Sequence, residues 1–257
     1  MICYVDIEHE DVLNDPAKRD AHLAWAMDVK LRLEELAVVP CLVQHYRRVS
    51  LARLKEWGIR ALIISGNASD WESYPAGAFD ALFEIIRTAD IPILGICGGH
   101  QLIAMAHGAK AGPIRPLAPE GSAAAGPGGE GYFKEWGFLP VEVVQPDPLF
   151  EGLGKHPVFL EMHYWEVKEL PADFVLLASS PDCRVQAVRH RQKSLYGVQF
   201  HPEAYILPDQ RYRSPLVRIV YPEGYDQAQP DGQVFLRNFL GCAGAAGEGD
   251  QWAQPMM

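Results

Sequence analysis

The chain has no cysteine pair at metal-ligand spacing, no long apolar run and little positive charge. Its five cysteines, Cys3, Cys41, Cys97, Cys183 and Cys242, are odd in number, far apart and without a C-x-x-C pair. That pattern argues against a disulfide framework or a zinc site and suits a reducing cytoplasm. No segment approaches the roughly 20 apolar residues of a membrane span. The opening "MICYVDIEHEDVLND" turns acidic after a short apolar run, so it lacks the basic and hydrophobic regions of a secretory signal. Lys and Arg total 23 against 33 Asp and Glu, for a net charge of -10. Neither nucleic acid nor an acidic membrane surface is an expected partner; a small molecule or another protein is.

What is present is a chain of 257 residues, 48% hydrophobic, enough for a substantial core. A single domain is expected over residues 1–242, with a disordered tail over 243–257. Short apolar, β-branched runs at 2–7, 41–46, 61–66 and 91–96 alternate with helical patterns. Continuous apolar strands of this kind fit a sheet buried on both faces. The first helix should open at Asp15 and Pro16 and present Leu23, Met27, Leu31 and Leu36; a second is expected in "GAFDALFEIIRTAD". The order predicts an α/β fold: a three-layer α/β/α sandwich around a mostly parallel, mixed sheet. Residues 111–131, rich in Gly, Ala and Pro, read as a surface loop. The strand-like segments after it look antiparallel or mixed, and 204–231 reads as an insertion before a last helix.

The stretch "PILGICGGHQLIAMAHG" sets Cys97 between Gly95 and Gly99, after an apolar strand and before a helical pattern. A nucleophile aimed into a cleft from a tight strand-to-helix turn brings together the positions two before and two after it. Both then need minimal side chains. Free N–H groups and the macrodipole at a helix N-terminus favour negative charge on a sulfur there. The same residues would also suit a buried core cysteine, or a glycine-rich turn that cradles phosphate. A second motif decides between them. "YGVQFHPEA" puts His201 directly after an apolar strand and Glu203 two residues later, across a proline. A thiol nucleophile needs a base, and the base needs an orienting partner.

"GICGGHQ" followed downstream by "GVQFHPE" resembles the class I glutamine amidotransferases, the Cys-His-Glu triad glutaminases. The likeness spans roughly residues 40 to 205 and the last helix. "ISGNASD" stands in the place of that family's oxyanion loop, and "MHYWEVKELP" resembles a stretch near its substrate. The resemblance implies Cys97 as nucleophile, His201 as base and Glu203 as orienting carboxylate. It implies an oxyanion and substrate site around Gly66, Asn67, Gly98, Gln101 and His163, with no metal and no organic cofactor. Gly66-Asn67-Ala68 replaces the family's common Gly-Gly-Pro, so Asn67 or a neighbour should supply the donor, in a left-handed conformation that Asn tolerates. Trp165 stands where an acidic residue is common, with Glu166 beside it. His9 among Glu8, Glu10 and Asp11 reads as a solvated acidic loop, and His100 as structural. The implied activity is hydrolysis of glutamine's γ-amide through a γ-glutamyl thioester, with ammonia supplied to a separate synthetase. A standalone γ-glutamyl hydrolase and an inactive binding module on the same fold are the alternatives.

Overall fold

The computed structural model describes residues 1–117, 129–206 and 229–244. Most of the 111–131 loop and of the 204–231 insertion, and nearly all of the 243–257 tail, therefore lie outside the described residues. Five parallel strands form one half of the central sheet, in the order β2 (Cys41–His45), β1 (Ile2–Asp6), β3 (Ala61–Ile64), β4 (Ile93–Ile96), β12 (Leu195–Val198). The sheet then continues antiparallel through β11 (Ala187–His190), β10 (Phe174–Ser179) and β7 (Glu142–Val143). Two short antiparallel pairs lie apart from it: β5 (Ala111–Pro113) with β9 (Trp165–Val167), and β6 (Glu135–Pro140) with β8 (Val158–His163). β5 takes the first residues of what reads in sequence as loop.

Four of the five parallel strands, β1, β3, β4 and β12, are buried along their whole length because successive side chains enter different cores, whereas β2 at the edge is buried only at Cys41. Ile2, Tyr4, Ile63, Leu94 and Ile96 face α2 (Pro16–Ala37) and the last helix. Cys3, Val5, Leu62, Ile64 and Ile93 face α3 (Leu51–Glu56), α4 (Asp80–Thr88) and α5 (Gly98–Ala106). The last helix is α6 (Asp231–Cys242), and α1 (Glu10–Asn14) is a single short turn before α2. Phe159 and Phe200 stack with ring centroids 3.9 Å apart, and Phe235 of α6 meets both edge-on. Each such ring is worth about 1.5–3 kcal/mol when buried.

α2 starts as expected: the Asp15 carboxylate accepts from Ala17 N at 2.9 Å, ahead of Pro16. Its buried face shares only Leu36 with the expected one. Leu23, Met27 and Leu31 are half exposed, whereas Ala26, Val29, Leu33 and Leu36 are buried. The helix has apolar residues on two sides, and it is Ala26, Val29, Leu33, Leu36 and Ala37 that enter the core. None of the described helices is long and apolar enough to cross a membrane.

Candidate active site

β4 ends at Ile96, α5 begins at Gly98, and Cys97 joins them at φ 51° and ψ -107°. A side chain with a Cβ holds such angles only where the surroundings enforce them, at a cost of about 1–3 kcal/mol. The enforcement is by backbone contact. A Cβ on Gly95 would lie 2.4 Å from the Gly99 carbonyl oxygen, and one on Gly99 would lie 2.5 Å from the Ile64 carbonyl oxygen. Gly99 N also donates to Ser65 O at 2.9 Å, tying the start of α5 to the end of β3. The turn is therefore closed by β3, β4 and α5 together, as the glycine spacing predicts.

β12 lies beside β4, with Val198 opposite Ile96, so the chain that leaves it arrives next to Cys97. His201 is fixed by its backbone N–H, which donates to Leu160 O at 2.8 Å. Its Nδ1 meets Glu203 Oε1 at 2.8 Å, across the short 3-10 turn Pro202–Ala204. A Cβ on Gly66 would sit 3.1 Å from His201 Cε1 and 3.2 Å from Cys97 Cβ. Gly66 is thus the floor on which the thiol and the imidazole meet. Burial alone would lower the His201 pKa. The charge of Glu203, then the charge and hydrogen bond of Cys97, outweigh it and hold the ring well above its ordinary value. The edge of Trp25, from α2, covers the imidazole with ring centroids 6.4 Å apart.

A cleft opens beside the sulfur between the segment after β3 and the segment joining β8 to β9. Asn67, Gly98, Gln101 and the 162–165 backbone line it. The N–H of Gly98, first in α5, has no intrahelical partner and is free for an anion. Gln101 braces the cleft on three sides: Oε1 accepts from Trp71 Nε1 at 2.8 Å, and Nε2 donates to Trp165 O and to Gln199 Oε1, both at 3.1 Å. Gln199 Nε2 in turn points at Cys97 Sγ, 3.5 Å away. Sequence reasoning passed over Gln199, although it lies inside the quoted "GVQFHPE". Asn67 needs no left-handed conformation: Val38 and Cys97 are the two non-glycine residues with positive φ among the described residues.

The class I glutamine amidotransferase profile matches residues 27–213, more than half of the chain. The chain belongs to that family. A subunit of the glutamine-hydrolyzing GMP synthase of Pyrococcus abyssi is 35% identical over 153 residues, 60% of this chain and 71% of that protein. The GMP synthase subunit of the same name from Methanosarcina mazei is 41% identical over 121 residues, 47% of this chain and 55% of that protein. The crystal structure of a glutamine amidotransferase from Thermotoga maritima shares the fold, with a TM-score of 0.60 at 15% identity over 94% of this chain and 97% of that one.

Two buried groups hold the amidotransferase cleft in shape. Glu8, just past β1, is buried instead of solvated as its acidic neighbours suggest. Its carboxylate accepts from Ala68 N at 2.7 Å, Ser69 N at 3.2 Å and Ser69 Oγ at 2.6 Å. It anchors the loop that follows Gly66, and His9 beside it is buried against Tyr74. A carboxylate can satisfy two backbone donors and a hydroxyl at once, which explains an acid there. Replacing Glu8 by Ala leaves those donors unpaired, so a loss of about 2–4 kcal/mol in unfolding free energy is expected. Turnover should fall more than stability at 25 °C explains; a variant with unchanged kcat would show that the loop keeps its shape unaided.

His163 is the second. Its side chain is 2% exposed; Nε2 lies 2.9 Å from Glu135 and 3.1 Å from Glu161, and Nδ1 lies 2.9 Å from Trp165 O. Both ring nitrogens are engaged within the protein, so what it contributes to the cleft is the position of the 162–165 backbone. Burial would lower its pKa, but the hydrogen bonds and charges of Glu135 and Glu161 raise it from 6.5 to about 10. A raised folded-state pKa gives stability that is fully present below the unfolded value and lost as pH climbs through the folded one. Chemical unfolding between pH 6.5 and 10 should therefore show falling stability, and His163→Gln should flatten that slope. An equal slope in both proteins would rule out His163 as its source. His100, fully buried, has Nε2 at 3.1 Å from Val185 O, and burial lowers its pKa to about 4. It packs against Gly197, where a Cβ would lie 2.4 Å from its Nδ1.

Proposed function

We propose that Cys97, His201 and Glu203 hydrolyse glutamine's side-chain amide, and that the ammonia passes to a synthetase on a separate polypeptide. The observation that carries the first half is the strained elbow at Cys97 beside an imidazole whose far nitrogen is held by a buried carboxylate at 2.8 Å. His201, disposed to hold a proton, is placed to take the one the Cys97 thiol gives up as its sulfur attacks. The sulfur attacks the amide carbon, and the oxygen gains negative charge. The N–H of Gly98 and the backbone at Gly66 and Asn67 would receive that oxyanion; one such donor is worth about 3 kcal/mol. His201 then gives its proton to the departing nitrogen, the C–N bond breaks, and ammonia leaves a γ-glutamyl thioester on Cys97. Water, deprotonated by the now neutral His201, releases glutamate and restores the pair. Glu203 fixes the ring orientation throughout.

The second half rests on the Pyrococcus and Methanosarcina relatives, each one subunit of a glutamine-hydrolyzing GMP synthase. All five cysteines are free thiols, as a reducing cytoplasm would keep them, and we place the enzyme there. The test is ammonia and glutamate release from glutamine by the purified protein, with a γ-glutamyl peptide panel alongside and a Cys97→Ala control. Cys97-dependent release from glutamine supports the proposal. Turnover of peptides with none of glutamine would favour a standalone γ-glutamyl hydrolase instead.

A further inference from the structure

The sulfur fixes where the amide end of a substrate lies, so the opposite end must be read elsewhere in the same cleft. Most polar side chains there are committed to the protein. Ser69 Oγ donates to Glu8, Trp71 to Gln101, the Asn67 amide to Ser69 O, and the Gln101 and His163 nitrogens are engaged as described. Asp70 is the only carboxylate among the described residues that line the cleft. It is exposed at the mouth, its Oδ1 accepts from the Tyr164 hydroxyl, and Oδ2 accepts from no described residue.

The carboxylate is also held in one orientation. Burial, then the hydrogen bond and charge of Asp70, raise the Tyr164 pKa and keep the phenol a donor. The Tyr164 ring is fixed from behind: Tyr132 stacks on it with centroids 6.2 Å apart, and a Cβ on Gly129 would come 2.4 Å from it. Glu166 is no competitor, since its carboxylate pairs with Lys168 at 2.7 Å and it does not line the cleft. No Lys or Arg is among the described residues that line the cleft.

Resting on the glutaminase reading above, we propose that Asp70 is the specificity residue that binds the substrate's α-ammonium, with Tyr164 orienting it. The described lining offers the α-carboxylate no ion pair. A fixed carboxylate with one open oxygen suits a primary ammonium, because the ammonium supplies the missing donor and the opposite charge together. The substrate class is then a γ-glutamyl amide with a free α-amino group, whose α-carboxylate is open to neutralisation.

The test measures alkylation of Cys97 by intact mass, which needs no turnover and no partner. Three probes are compared: the chloroketone analogue of glutamine, the same compound without its α-amino group, and the same compound with its α-carboxylate as an amide. The wild-type protein should react about tenfold or more faster with the first than with the second, and at a similar rate with the third. Asp70→Asn should bring the first two rates together while its rate with iodoacetamide stays unchanged. An amino-group preference that survives in Asp70→Asn, or is absent from the wild type, overturns the assignment while leaving the glutaminase reading intact. A strong loss with the third probe overturns the statement about the carboxylate. If iodoacetamide labels Cys97 but no chloroketone does, the glutaminase reading fails as well.

Discussion

Cys97→Ala is expected to lower kcat/KM for glutamine by about ten-thousandfold or more, the scale at which triad enzymes lose activity with their nucleophile. The fold should survive, because the contacts that close the elbow belong to Gly95, Gly99 and the β3 carbonyls, none of which the substitution touches. Cys97→Gly should be equally inactive yet differ in stability. The backbone at φ 51° and ψ -107° strains any residue with a Cβ, and only glycine enters that region freely. Removing the Cβ should therefore make the Gly variant more stable than the Ala variant by about 1 kcal/mol, the scale of the penalty for such a conformation. Thermal unfolding of the two inactive proteins reads this directly. A Gly variant less stable than Ala would mean that the elbow is not a store of strain held for catalysis.

The elbow and the His-Pro-Glu turn were legible in the sequence because both are local. The glycine spacing around Cys97 and the two-residue step from His201 to Glu203 state their own geometry. The strands were legible for a similar reason: a strand buried on both faces is a continuous apolar run, as β1, β3 and β4 are. Glu8 was not legible, since nothing in "IEHED" says that two backbone N–H groups some 60 positions away will need its carboxylate. Gln199 and Trp71 were hidden by the same distance, as both act through Gln101. The face of α2 was misread because Leu23, Met27 and Leu31 have a helical spacing of their own. Periodicity shows that a stripe exists; which of two stripes meets the sheet depends on packing across an interface absent from the local sequence.

Gly99→Ala should be among the most damaging single-methyl substitutions near the site. The added carbon would lie 2.5 Å from the Ile64 carbonyl oxygen and 2.9 Å from that of Ser65. Both are backbone atoms of the central sheet and its exit, and Ser65 O already accepts the Gly99 N–H. Relief would require α5 to move away from β3. That would break the hydrogen bond, open the core between Leu102, Ile103 and Ile64, and swing Cys97 away from His201. Overpacking a core typically costs about 1–3 kcal/mol when side chains can yield; here backbone must yield, so a loss of about 3 kcal/mol or more is expected, with activity lost alongside. Gly108→Ala serves as the comparison. Its added carbon meets nothing within 4 Å and only the positive φ of 82° opposes it, so it should lose about 1 kcal/mol through backbone strain alone. If unfolding experiments rank the two equally, steric closure of the turn is not what requires glycine at position 99. The spacing that first singled out Cys97 would then need a different physical explanation.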